Sequence, residues 1–164
     1  MTLQEHSIQI SQRFEEFRND KYTQKARIME EAEANLEALR QAANEGDTSE
    51  NQAYTTALEK VSDYDTQLRN VMKQISDIEI MQSNDNYKSI GLVVLGTTIK
   101  LQINNGDSLI VKLYRGDISD IDKGMLAQNS KVGRALWKKK IGDVVKVIHR
   151  VTGESIEYRI LDLW

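Results

Sequence analysis

The feature that most constrains this chain is a run of apolar residues at alternating three- and four-residue spacings: Tyr54, Ala57, Val61, Tyr64, Leu68, Val71, Ile75 and Ile78. Only a helix brings such positions onto one stripe, and the alternation is that of a coiled-coil seam. Glu59, Lys60, Asp63, Arg69 and Lys73 occupy positions off that stripe. A second stripe is expected at Met29, Ala32, Leu36, Leu39 and Ala43, and again at Ile10, Phe14 and Phe17. Between them, Asp20 to Ala26 breaks the pattern, as a stutter or a bend would. Neither helix can bury its stripe alone, so the two are predicted to pack as an antiparallel hairpin that turns around Gly46. Arms of about 30 residues would give a rod roughly 45 Å long. A rod of that kind can serve as a spacer, a dimerisation device or a probe.

The glycines place the boundary of this helical half. Gly46 stands alone in the first ninety residues, and the other eight follow from Gly91 onward. Two domains are therefore expected: a coiled-coil hairpin over residues 1–84 with its tip at 46–50, and a turn-rich domain over 85–164. Proline, which interrupts both helices and ladders, is absent throughout.

In the second half the hydrophobic period shortens. Leu92-Val93-Val94-Leu95, then Ile99, Leu101 and Ile103, then Leu109 to Tyr114 read as strands, with Asn104-Asn105-Gly106-Asp107 as a hairpin turn. Arg115 to Gln128 reads as a loop, and Ser130 to Lys140 as a short helix capped by Ser130. Strands over Asp143 to Arg150 and Ser155 to Leu161 flank a turn at Thr152-Gly153. The fold class is α+β: a helical hairpin followed by a small antiparallel sheet with one short helix. Tyr114, Trp137, Tyr158 and Trp164 are expected in the core rather than around a ligand, and Arg134 with Lys138-Lys139-Lys140 forms a basic patch of the kind most often simply solvated.

Charge and composition exclude several functions. A net charge of -3 argues against binding nucleic acid chiefly through bulk attraction to phosphate, though not against a partner that contains nucleic acid. Without cysteine there is no disulfide, thiolate zinc site or thiol nucleophile. No apolar run approaches the ~18 residues of a membrane span, and residues 1–20 are polar, unlike a secretory signal. A cytoplasmic protein with no membrane partner is the expectation. His6 and His149 lie far apart in sequence, and His149 has no second ligand candidate beside it.

The predicted hairpin turn, Gly46-Asp47-Thr48-Ser49-Glu50-Asn51, carries two carboxylates. Gly46 suits the left-handed residue that ends a helix. Asp47 or Ser49 can cap the next helix, and Asp47 with Glu50 has capping-box spacing. The same two acids can also form half of a magnesium site whose other ligands come from a partner. A capping carboxylate keeps a second oxygen free, so the readings coexist.

Gly46-Asp47-Thr48-Ser49-Glu50-Asn51-Gln52-Ala53-Tyr54 resembles the tip signature G-D-x-x-E-N-x-x-Y of the bacterial Gre transcript cleavage factors. Val93 to Ile99 resembles the strand that opens their C-terminal domain. Asn129-Ser130-Lys131-Val132-Gly133-Arg134-Ala135-Leu136 with Ile141-Gly142-Asp143-Val144-Val145 resembles their N-S-P-x-G-x-A-L…G-D-x-V block. The likeness runs from about Leu36 to the C-terminus. It implies an FKBP-like C-terminal domain docked at the rim of the secondary channel of bacterial RNA polymerase, with the coiled coil inserted. Asp47 and Glu50 would then help hold a magnesium ion shared with the polymerase and orient water, so that the polymerase hydrolyses the 3′ end of backtracked RNA. Gly46, Asn51 and Tyr54 would shape the tip, and Asn129, Ser130, Gly133 and Arg134 would dock. The chain would be a monomeric accessory factor rather than an enzyme, with no cofactor of its own and only indirect contact with the RNA 3′ end.

Some positions depart from the family pattern. Lys131 replaces a usual proline, and Trp137-Lys138-Lys139 replaces a common L-G-K run. Thr48 and Ser49 stand where hydrophobic and basic residues are common, and Ala53 where many members have an acid. Two other functions follow from the same residues: a Gre-like channel regulator without cleavage activity, or a dimerising structural coiled coil.

Overall fold

The structure is a computed structural model that describes residues 1–44, 52–82 and 91–164. In chain order it contains α1 (Leu3–Asn44), α2 (Gln52–Gln82), β1 (Thr98–Ile103), β2 (Ser108–Tyr114), β3 (Met125–Ala127), α3 (Lys131–Leu136), β4 (Val144–Ile148) and β5 (Ser155–Leu163). These fall into two compact units, one of Phe17–Ser76 and one of Met1–Glu16 with Asp77–Trp164. The division differs from halves at 1–84 and 85–164, because both the start of α1 and the end of α2 group with the sheet.

The Phe17–Ser76 unit is the helical hairpin. Its core joins Ile28 of α1 to Val71 and Ile75 of α2, with Tyr64 and Leu68 packed against them. On α2 the expected stripe is the buried one, except that Val61 is 36% exposed. On α1 the stripe is displaced. Met29 and Leu36 are exposed, while Ile28, Asn35 and Ala42 are buried. The reason is polar: Asn35 occupies a seam position, and its Nδ2 donates to the Ala57 carbonyl at 2.8 Å. A polar group can sit in an apolar seam when its hydrogen bonds are satisfied there. The Asp20–Ala26 irregularity does not interrupt the helix, for α1 is helical throughout. Lys21 and Gln24 continue the three-four spacing as half-buried residues, joined by a hydrogen bond of 3.1 Å, and the Lys21 ammonium lies 4.9 Å from the Phe17 ring centre.

The other unit is built on a five-stranded sheet of order β3-β2-β1-β5-β4. Neighbours are antiparallel except β2 and β3, which run parallel with Lys112, Leu113 and Tyr114 opposite Met125, Leu126 and Ala127. The β1–β2 turn is as expected: Asn104 and Asn105 have φ of 47° and 59°, the left-handed pair of a tight hairpin. Ile99, Leu101, Val111, Leu113, Leu126, Leu136 and Ile160 are almost wholly buried in one core, against which Trp137 and Tyr158 pack.

The first turns of α1 rest on the β1 and β2 strands. The rings of Phe14 and Tyr114 meet edge to face with centres 5.2 Å apart. Around them, Thr98 Oγ1 donates to Ser7 Oγ at 2.8 Å and Lys112 Nζ to Ser11 Oγ at 2.9 Å. The contact therefore combines aromatic packing, which supplies burial, with hydrogen bonds that fix which residue opposes which.

Three local expectations are corrected. Leu92–Leu95 is not a strand: Val93 is buried, but its N–H and C=O bond to Lys139 and Lys138 in the turn after α3 rather than to a neighbouring strand. Arg115 to Gln128 is not all loop, because it supplies β3. α3 ends at Leu136 rather than Lys140, since Lys138 adopts a left-handed φ of 60°.

Candidate functional site

Of the residues singled out in sequence, Gly46, Asp47, Glu50 and Asn51 lie outside the described residues. Tyr54 is half-buried in the first turn of α2. Asn129, Ser130, Gly133 and Arg134 come together where β3 passes into α3, and their geometry can be built residue by residue.

Ser130 is the N-cap of α3, with extended φ and ψ of -66° and 160°. Its Oγ accepts from the Gly133 N–H at 3.0 Å and donates to the Ala127 carbonyl at 2.7 Å. One hydroxyl thus satisfies an orphan helix donor and ties the cap to the end of β3. Gly133 is required by space. A Cβ there would stand 2.1 Å from the Ala127 carbonyl oxygen, which is backbone and cannot swing away. The helix therefore lies directly on β3 only because position 133 has no side chain.

Asn129 links the corner to the loop after β2. Its N–H donates to the Gly116 carbonyl at 3.3 Å and its Nδ2 to Asp117 Oδ1 at 2.6 Å. Its carbonyl accepts from Arg134 Nε at 2.9 Å. That last bond holds the exposed guanidinium by one edge, and Arg134 makes no ion pair among the described residues. Sequence reasoning missed Gly116 and Asp117, since nothing local marks a residue that will meet Asn129 twelve positions later.

Beside this corner runs a groove of about 500 Å³ between α3 and the β4–β5 hairpin. Half-buried Val132, Val147, Ile156 and Tyr158 line it with exposed Lys131, Arg134 and Arg150. Lys131 Nζ donates to the Ile148 carbonyl at 3.3 Å across the groove. Burial pushes the Tyr158 hydroxyl above its ordinary pKa. The groove thus has an apolar floor with cationic edges. Among the described residues no three His, Asp or Glu side chains come together as a metal site. None of those described helices is long and apolar enough to cross a membrane.

Residues 88–164 match the sequence model of a family described as "Transcription elongation factor, GreA/GreB, C-term". Over 129 residues the chain is 29% identical to "Transcription elongation factor GreA" of Buchnera aphidicola subsp. Acyrthosiphon pisum, covering 78% of this chain and 79% of that one. It is 30% identical over 129 residues to the protein of the same name from Hamiltonella defensa, covering 78% and 80%. With that of Pseudomonas aeruginosa the identity is 28% over 128 residues, covering 77% and 79%.

Proposed function

The chain belongs to the GreA/GreB family of transcription elongation factors, and from that premise we propose that it stimulates RNA polymerase to cleave backtracked RNA. Its relatives are named for elongation. The observation that carries the cleavage reading is the tip signature, Gly46-Asp47 with Glu50-Asn51 and Tyr54, between two helices that pack as a hairpin.

In this account the chain is an accessory factor, and the polymerase performs the hydrolysis. Asp47 and Glu50 supply carboxylate oxygens toward a magnesium ion whose remaining ligands come from the polymerase and the RNA phosphate. Asp47 and Glu50 would hold that ion on the factor's side, and the ion would supply activation of the attacking water beside the polymerase's own metal. The hairpin reaches the active centre through the secondary channel, and the α3 corner with its groove docks outside. Ser130 and Gly133 build that corner, while Arg134 is placed for an acidic partner residue. The factor acts as a cytoplasmic monomer.

The test is direct. Purified protein added to stalled, backtracked polymerase complexes with magnesium should shorten the RNA from its 3′ end and restart elongation. A second reading is favoured by Thr48, Ser49 and Ala53, which depart from the family pattern around the acids: the chain occupies the channel and restrains initiation without cleavage. Inhibited initiation with RNA of unchanged length would select it.

A further inference from the structure

The net charge of -3 conceals a segregation. Residues 91–164 hold twelve Lys and Arg against eight Asp and Glu, while residues 1–90 hold ten against seventeen. Within the basic part, Lys138, Lys139 and Lys140 are consecutive and all exposed. None of the three ammonium groups has a hydrogen-bond or ion-pair partner among the described residues.

This turn is held in one shape by its backbone. Lys138 N–H donates to the Val93 carbonyl at 2.8 Å, and the Lys139 carbonyl accepts from the Val93 N–H at 2.9 Å. Lys139 N–H also bonds the Leu136 carbonyl at 3.0 Å, and Lys140 N–H bonds Asp143 Oδ2 at 2.8 Å. Lys138 has φ of 60°, a conformation natural to glycine and unfavourable for a long side chain. Among the described residues, the other positive-φ residues with side chains, Asn104 and Asn105, are of a type that tolerates it. Hairpin chemistry explains those two but not a lysine, so a long side chain stands where the backbone prefers none.

We propose that the Lys138-Lys139-Lys140 turn is a contact surface for the phosphate backbone of nucleic acid, read without regard to base sequence. Lysine ammonium groups on flexible stems are point charges that meet phosphates without demanding a fixed geometry. The same residue type is depleted from protein–protein interfaces, which disfavours a protein partner here. Three ammonium groups on adjacent residues can neutralise neighbouring phosphates and release their counterions. The acidic remainder of the chain keeps such binding modest. This surface is independent of the cleavage chemistry assigned to the tip.

The test uses the full chain with a labelled single-stranded RNA of about 20 nucleotides and a duplex DNA of about 20 base pairs, read by fluorescence anisotropy across a salt series. Wild type is expected to bind in the ~1–100 μM range at low salt, and the tighter arm identifies the source of the phosphates. Replacing all three lysines by glutamine should reduce the slope of log affinity against log salt by about two for the RNA and nearly three for the DNA. Lys138→Gly should lose roughly one unit of the duplex slope yet raise the melting temperature, because it removes a contact and relieves the backbone together. Loss of binding with a gain in stability separates this surface from a structural role. An unchanged salt slope in the triple variant overturns the proposal, as does absence of wild-type binding at about 50 mM salt. Tighter binding to polyglutamate than to either nucleic acid also overturns it, in favour of an acidic protein.

Discussion

Asn35 Nδ2 donates to the Ala57 carbonyl at 2.8 Å, placing a polar rung inside the apolar seam of the helical hairpin. Polar seam residues set register, since a slip of one turn would leave the amide buried and unpaired. Asn35→Ala should lower hairpin stability by about 1 kcal/mol, measured by chemical denaturation. Asn35→Leu should raise the denaturation midpoint and loosen register, seen as faster amide exchange along α2. An unaltered exchange pattern would show that packing alone sets the register.

At the α3 corner the two structural residues should behave differently. Gly133→Ala forces a methyl group onto the Ala127 carbonyl and should cost about 1–3 kcal/mol through displacement of the helix from β3. Ser130→Ala removes the cap and the hydroxyl's bond to the Ala127 carbonyl and should cost about 1 kcal/mol. Thermal unfolding of both variants checks the order.

Arg134 has an exposed guanidinium held only through Nε, so Arg134→Ala should change stability by less than about 0.5 kcal/mol. If the corner docks on polymerase, the same variant should bind core polymerase more weakly, by about tenfold for loss of one charge-assisted contact. Titration of labelled polymerase with each protein reads both quantities.

Stability should also fall in alkali. Burial raises the Tyr114 pKa, with the carboxylates of Asp77, Asp117 and Asp120 adding to the shift, and burial raises that of Tyr158. The unfolded chain releases these protons first. The contribution is complete below pH about 10 and is lost as pH rises through the higher folded values. Tyr114→Phe, which also gives up the hydrogen bond to the Ile118 carbonyl, should flatten this decline in melting temperature above pH 10 while lowering stability at neutral pH.

Much of this fold was legible in sequence because its elements carry local signals. The α2 stripe is apolar at nearly every seam position, and the Asn-Asn-Gly turn announces its hairpin. On α1 half of the inward heptad positions are polar: buried Ser7 and Asn35 and half-buried Lys21 alternate with buried Phe14, Ile28 and Ala42. A rule that follows apolar residues therefore drifts by one position to Met29, Leu36 and Ala43. β3 escaped notice because three residues give too short a pattern, and its partner β2 is selected only in three dimensions. At the site, Ser130 could be read as a cap from its place before an apolar helix face. The need for Gly133 could not, since it depends on a carbonyl six residues earlier in a strand not foreseen.

In the proposed function, Asp47 and Glu50 bring carboxylates to a metal in the polymerase. The most direct measurement is cleavage of 3′-labelled RNA in backtracked complexes, comparing wild type with Asp47→Asn and Glu50→Gln at concentrations where each saturates the polymerase. Wild type should shorten the RNA rapidly, and either variant should lose at least about 100-fold in rate, the scale expected when a directly acting electrostatic group is removed. Binding should be unchanged, and raised magnesium should partly restore the rate. Equal cleavage by all three proteins would contradict that role of the two acids.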